Sequence, residues 1–135
     1  MATDRRRLTV LLVEDDPAAL TFYGEALVAA GYDVLPARNG TEALARAQAE
    51  LPDAVIADLG LPDFDGLEVC RQLRLHPATR HLPAVALTGR SMALRDIEFA
   101  ESAGFASVLL KPATIGQLSD AILRARRRAN VVQES

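Results

Sequence analysis

The chain has 135 residues and a formal net charge of -3, with 50% hydrophobic and 24% charged residues. That length fits a single domain, and a domain of this size buries enough surface to fold without disulfides or structural zinc. The high hydrophobic fraction excludes a disordered chain, and the short apolar runs exclude a membrane span. Because the chain is mildly acidic, neither a membrane nor nucleic acid is expected as a partner.

Cysteine and lysine each occur once in the sequence. Cys70 is the single cysteine, which excludes an internal disulfide and a cysteine zinc site and favours a reducing, cytoplasmic location. Of the 15 basic residues, all except Lys111 are arginine. An ammonium group directly after an apolar run indicates a place that needs a compact point charge rather than a planar guanidinium.

Short apolar runs alternate five times with segments of helical periodicity, and each apolar run is predicted to be a strand. The strands are predicted at 8–13, 33–36, 54–57, 82–87 and 106–110. The helices are predicted to run from Asp15 or Asp16 to Gly31, from Asn39 to about Ala49, from about Gly66 to Leu75, from Ser91 to Gly104 and from Thr114 to about Arg128.

The apolar runs are continuous rather than alternating, which indicates strands buried on both faces. Such strands belong to a parallel sheet with helices on each side, and five units are too few to close a barrel of eight. An open, doubly wound α/β sheet is therefore predicted for a single domain over 8–128. Residues 1–7 are an N-terminal extension, and 129–135 are a C-terminal tail. The last helix is predicted to bury Ile115, Leu118 and Ile122.

Polar residues follow four of the predicted strands. They are Glu14, Asp15 and Asp16 after strand one, Asp58 after strand three, Thr88 after strand four and Lys111 after strand five. In an open parallel sheet of order 2-1-3-4-5, ligands bind at the carboxyl ends of strands one and three. Carboxylates gathered there repel one another unless cations compensate. Mg²⁺ with Lys111 balances Asp15, Asp58 and one of Glu14 or Asp16.

Four segments match a known family, in order and each at a predicted strand end. They are 11–17, 58–66, 86–89 and 109–112. On these motifs the sequence resembles the receiver domain of bacterial two-component response regulators, over about residues 8–126. The resemblance implies a flavodoxin-like (βα)5 doubly wound parallel sheet of strand order 2-1-3-4-5. It also implies a cytoplasmic, phosphorylation-dependent switch in a phosphorelay, which assists its own phosphorylation and dephosphorylation but is not otherwise an enzyme.

The resemblance further implies a role for individual residues. Asp58 would accept a phosphoryl group from the phosphohistidine of a sensor histidine kinase or a phosphotransfer protein. Thr88 would donate its hydroxyl to a phosphoryl oxygen, and Lys111 would pair with the phosphoryl group or with the free Asp58 carboxylate. Pro112 would follow Lys111 through a cis peptide bond.

A magnesium site is implied by the same resemblance. Asp15 would bind Mg²⁺ directly and Glu14 through water, Asp58 would be a further metal residue, and Gly60 would contribute its backbone carbonyl.

One departure from the family concerns the output of the switch. Val108 stands where family members usually carry a Tyr or Phe that turns inward on phosphorylation, so this readout is expected to be absent or altered. A downstream protein target is implied, as is a homodimer through strand five and helices four and five. The chain is expected to be a stand-alone regulator or a receiver cut from a longer chain, such as a hybrid kinase.

Two other functions remain open from the sequence. A receiver-like scaffold that binds proteins without regulated phosphorylation agrees with Val108, although the chemical residues are all present. A magnesium-dependent phosphohydrolase that resembles the haloacid dehalogenase family would also use Asp58. That family requires a second Asp two residues later, where this chain has Gly60.

Overall fold

The computed structural model describes residues 7–61, 66–89 and 94–134. Strands and helices alternate, as predicted. The strands are β1 (Thr9–Val13), β2 (Asp33–Ala37), β3 (Ala54–Asp58), β4 (Ala84–Thr88) and β5 (Ser107–Leu110). The helices are α1 (Pro17–Ala29), α2 (Gly40–Glu50), α3 (Gly66–Leu75), α4 (Leu94–Ala103) and α5 (Ile115–Glu134). The predicted start of the fourth helix at Ser91, and residues 62–65 of the second motif, lie outside the described residues.

The five strands form one parallel sheet in the order β2-β1-β3-β4-β5. The predicted fold, a flavodoxin-like doubly wound α/β sheet, is therefore confirmed. Val13 of β1 pairs with Ala57 of β3, and Asp58 pairs with Leu87 of β4. This register brings the carboxyl ends of β1, β3 and β4 to the same edge of the sheet.

The core lies on both faces of the sheet because successive strand residues point to opposite sides. On one face Leu11 and Val13 of β1 belong to a buried cluster with residues of α2, α3 and α4. On the other face Val10 and Leu12 are buried with residues of α1 and α5. All four strand residues are at most 1% exposed. Burial on both faces explains why the strands read as continuous apolar runs.

Side-chain caps fix where the helices next to the site begin. The Asp16 carboxylate caps α1 by accepting a hydrogen bond from the Ala19 amide at 3.1 Å. Before α5, Thr114 and Gln117 form the predicted capping box, in which each side chain accepts from the other's amide, at 3.1 and 2.8 Å. Each cap satisfies amides that the first helical turn leaves without partners, and so defines the direction in which the chain leaves the sheet edge.

The last helix differs from its prediction in where it ends and in the burial of its first residue. It continues to Glu134 rather than ending near Arg128, since no Gly or Pro follows Gly116 to stop it. Ile115 is 36% exposed, so its predicted burial was wrong. It lies in the first turn, before Leu118 and Ile122, where the helix face meets the sheet and both side chains are fully buried. Within the described residues, no helix has the length and hydrophobicity to cross a bilayer.

Candidate functional site

Three carboxylates meet at the carboxyl edge of the sheet. Oxygen atoms of Glu14, Asp15 and Asp58 all lie within 4.8 Å of one another. Glu14 and Asp15 directly follow β1, and Asp58 is the last residue of β3, the strand paired with β1. The parallel register therefore assembles an acidic group from residues more than 40 positions apart.

Lys111 joins two of these carboxylates. Its Nζ donates to Glu14 Oε1 at 2.5 Å and to Asp58 Oδ2 at 3.0 Å. Its backbone amide donates to the Thr88 carbonyl at 2.7 Å, so the pairing of β5 with β4 continues as far as the lysine. Lys111 follows β5, which lies two strands away from β3 in the sheet. The backbone of β5 thus directs the ammonium group toward the carboxylates.

Both oxygens of the Asp58 carboxylate accept hydrogen bonds. Oδ2 accepts from Lys111, and Oδ1 accepts from the Gly60 amide at 2.9 Å. The Asp58 side chain is 12% exposed, and a Cβ added to Gly60 would still be 3.9 Å from Asp58 Oδ1. The carboxylate is therefore held in a defined orientation while space remains beside Gly60.

Glu14 is the buried member of the group, at 1% exposure. Its Oε2 accepts from the Asp16 amide at 3.1 Å, and its own amide donates to the Ala37 carbonyl at 2.9 Å. Burial raises the pKa of Glu14 above its ordinary value, and the bonds from Lys111 and Asp16 offset this only in part. The third carboxylate of the group is Glu14, whereas the Asp16 side chain caps α1.

Charge at the site is only partly balanced by the lysine. Burial acts to lower the pKa of Lys111, but its hydrogen bonds to Glu14 and Asp58 outweigh burial and leave that pKa above its ordinary value. The ammonium group is thus firmly protonated and neutralises one of the three carboxylates. One divalent cation would balance the charge of the two remaining carboxylates. The carboxylate oxygens fit a hard cation such as Mg²⁺.

Thr88 and Pro112 complete the edge. Thr88 is the half-buried last residue of β4 and directly follows Leu87, the residue paired with Asp58. Its hydroxyl therefore belongs to the same edge as the carboxylates. The Lys111–Pro112 peptide bond is cis, in agreement with the conformation that the resemblance implies.

Within the described residues, two side chains make polar contacts that were not foreseen from the sequence, one beside the site and one at the opposite edge of the sheet. The Tyr23 hydroxyl accepts a hydrogen bond from the Ala113 amide at 3.2 Å. The Arg74 guanidinium donates to the carbonyls of Arg80, Leu82 and Gly104, and so joins the end of α3 to the segments that precede β4 and β5. Tyr23 matches the apolar spacing of α1, and this spacing carries no sign that its hydroxyl binds a backbone amide 90 positions away.

The fold and the acidic edge together define a class of protein. An open sheet of order 2-1-3-4-5 carries three carboxylates where β1 and β3 end, and a lysine that follows the edge strand β5 pairs with two of them. The family model of the response regulator receiver domain matches residues 10–123. The chain therefore belongs to the receiver domain family of two-component response regulators, as the sequence motifs indicated.

Individual relatives agree with this assignment. The chain is 37% identical over 123 residues to the response regulator PleD of Caulobacter vibrioides, covering 89% of this chain but 25% of PleD. It is 32% identical to the polar-differentiation response regulator DivK of Brucella anthropi, covering 84% of this chain and 92% of DivK. The solved structure of the chemotaxis response regulator CheY4 of Vibrio cholerae superposes with a TM-score of 0.81 at 27% identity, covering 89% of this chain and 99% of CheY4. The chain thus spans about a quarter of the length of PleD.

Proposed function

We propose that this chain is a phosphorylation-dependent signalling switch whose phosphoryl acceptor is Asp58. One observation supports this most directly. The Asp58 carboxylate ends a buried strand, accepts a hydrogen bond from Lys111 Nζ at 3.0 Å and lies beside the Glu14 and Asp15 carboxylates. An acceptor needs this combination of a fixed nucleophile and nearby groups that stabilise the charge of a phosphoryl group.

The donor in this proposal is the phosphohistidine of a sensor histidine kinase or a phosphotransfer protein. A carboxylate oxygen of Asp58 attacks the phosphorus, and an O–P bond forms as the P–N bond to the imidazole breaks. The electron pair of the broken bond returns to the imidazole nitrogen, and the product on this chain is an aspartyl phosphate. Lys111 then pairs with the transferred group, and the Thr88 hydroxyl donates to one of its oxygens.

Mg²⁺ is the metal that the donor set favours in this proposal. Glu14, Asp15 and Asp58 would hold it together with the Gly60 carbonyl. When bound, the ion supplies positive charge that offsets the carboxylates and the oxygens of an incoming phosphoryl group.

The output of the switch is proposed to differ from that of receivers with an aromatic residue on the fifth strand. Val108 pairs with Ala86 of β4 and packs, half-buried, against the core cluster that includes residues of α4. Valine has no ring to exchange between solvent and core, and its first side-chain torsion is stiff. The message to a downstream protein would then pass through the backbone that follows Thr88.

Domain organisation, location and assembly also remain proposals. Residues 8–128 would form the receiver unit, with 1–7 and 129–135 as flanking segments, in the cytoplasm. The unit would act alone or as part of a longer chain such as a hybrid kinase. A homodimer would use the face formed by α4, β5 and α5.

The test is incubation with acetyl phosphate and Mg²⁺, followed by intact-mass measurement. The wild type should gain one phosphoryl group, and a chelator should strongly reduce the gain. Asp58→Asn should gain none because it lacks the attacking carboxylate. Asp120→Asn is the matched control, since Asp120 is an exposed acid in an ion pair with Arg124 on α5. It should be phosphorylated like the wild type.

Three results would contradict the proposal. Phosphorylation of Asp58→Asn would place the acceptor elsewhere. A wild-type chain that takes up no phosphoryl group would favour the protein-binding scaffold. Sustained release of phosphate from a generic phosphate ester would favour the phosphohydrolase.

A further inference from the structure

Tyr23 is a buried aromatic residue of α1 with one polar atom. The side chain is 4% exposed and belongs to the core cluster that includes Leu12, Leu27 and Leu118. Its ring also makes an edge-to-face contact with Phe22, with centroids 5.1 Å apart. The packing of the ring therefore does not depend on the hydroxyl, which separates the two roles of the side chain in an experiment.

The hydroxyl contacts the loop that carries Lys111. Along this loop the Lys111 amide is bound by the Thr88 carbonyl, and Pro112 has no amide hydrogen. Ala113 supplies the next backbone donor, and its amide binds the Tyr23 hydroxyl at 3.2 Å. The loop is thus held on one side of Pro112 by β4 and on the other side by α1.

Burial makes this contact necessary. Ala113 is 6% exposed, and a buried amide without a partner carries a desolvation cost. If the hydroxyl were removed, the loop would shift to bring the Ala113 amide to water or to another acceptor. Such a shift would start two residues from Lys111, whose Nζ must meet both Glu14 and Asp58.

The helix that carries Tyr23 also begins at the site. Asp16 caps α1 directly after Glu14 and Asp15. One helix therefore connects the acidic residues that follow β1 with the loop that follows β5.

We propose that Tyr23 is a positioning residue for phosphoryl transfer, acting through the loop that sets the place of the Lys111 ammonium group. This inference rests on the function proposed for Asp58 and Lys111. It assigns to the Tyr23 hydroxyl a contribution to the rate of phosphorylation, in addition to the packing of the Tyr23 ring in the core.

The experiment compares the rate of phosphorylation by acetyl phosphate at saturating Mg²⁺ in Tyr23→Phe and Tyr32→Phe. Tyr32→Phe is the matched control because it removes a tyrosine hydroxyl that bonds Ser119 of α5 at 2.7 Å, away from the Lys111 loop. Tyr23→Phe should lower the rate about 3- to 10-fold, as expected for a displaced charge-stabilising group. Tyr32→Phe should leave the rate within about 1.5-fold of wild type, since its lost bond touches no group of the site.

A second comparison distinguishes positioning from general loosening of the fold. In a Lys111→Ala background, adding Tyr23→Phe should leave the remaining rate unchanged, since the ammonium group that Tyr23 positions is already gone. A rate in Tyr23→Phe equal to wild type would overturn the inference, as would the same fractional loss with and without Lys111. If the wild type itself takes up no phosphoryl group, the proposed function fails, and the role of Tyr23 fails with it.

Discussion

Lys111 carries the only positive side chain that the structure places against the acidic group within its described residues. Its ammonium group bonds both Glu14 and Asp58 and is itself 24% exposed. Removing it leaves the buried Glu14 without its strongest donor. Because the site retains some solvent, the loss should be smaller than for a fully buried ion pair.

Lys111→Met is therefore expected to lower the free energy of unfolding by about 1–2 kcal/mol, measured by urea denaturation without Mg²⁺. Added Mg²⁺ should recover part of this loss, because the ion supplies the missing charge. Arg46→Met, which breaks an exposed pair with Glu50, should change stability by less than about 0.5 kcal/mol, and this difference from the wild type should be the same with and without Mg²⁺. A Lys111 variant that behaves like the Arg46 variant would contradict the charge balance described for the site.

The reactivity of the Cys70 thiol tests how tightly the core is packed around this residue. Its side chain is 1% exposed, and burial raises the pKa of the thiol despite the neighbouring Arg74 and Arg71. Since only the thiolate reacts, iodoacetamide should modify the native protein at least about ten-fold more slowly than the urea-unfolded protein. Mass spectrometry over time measures both rates. Equal rates would mean that the packing around α3 is looser than the structure shows.

At the scale of elements, α3 packs closely on the segment that follows β3. A Cβ added to Gly66 would lie 2.4 Å from the Asp58 carbonyl oxygen and 2.9 Å from the Leu59 Cα. These are backbone atoms, so either α3 or the backbone at Asp58 and Leu59 would have to move. The close approach of this glycine thus links the position of α3 to the position of Asp58.

Gly66→Ala is expected to lower the free energy of unfolding by about 1–3 kcal/mol and to slow phosphorylation of Asp58. Gly24→Ala is the control within α1, because its added Cβ would meet Leu12 at 3.9 Å, an ordinary contact. This control should raise the free energy of unfolding by about 0.5–1 kcal/mol, as alanine favours a helix interior. Thermal or urea unfolding measures both, and a neutral Gly66→Ala would show that the segment after Asp58 is free to shift.

The bounds of a strand or helix could be predicted where neighbouring residues in the sequence determine them. Strand ends could be placed because a buried parallel strand is a continuous apolar run that stops at a polar residue, as at Asp58 and Thr88. The start of α5 could be placed from the capping box of Thr114 and Gln117. Its end could not, because residues after Arg128 carry no stop signal and their polarity resembles that of a tail.

For the molecule as a whole, the residues that meet at the carboxyl edge of the sheet could be predicted from the sequence. The hydrogen bonds between the layers of the fold could not. Once the strands are parallel, Glu14, Asp15 and Asp58 must share an edge, and a lysine after β5 faces the same way. The bonds from Tyr23 to Ala113 and from Arg74 to three carbonyls depend on distances between layers. Spacing along the chain does not encode these distances, so such supporting contacts emerge only from the folded chain.

The central claim is that the Asp58 carboxylate becomes an acyl phosphate. The most direct measurement is to phosphorylate the chain with acetyl phosphate and Mg²⁺, reduce it with borohydride and map the peptides by mass spectrometry. Borohydride reduces an aspartyl phosphate to homoserine, so homoserine is predicted at position 58, with Asp15 and Glu14 unchanged. Homoserine at another position, or a phosphoryl group that survives reduction on a hydroxyl or an imidazole, would contradict the account.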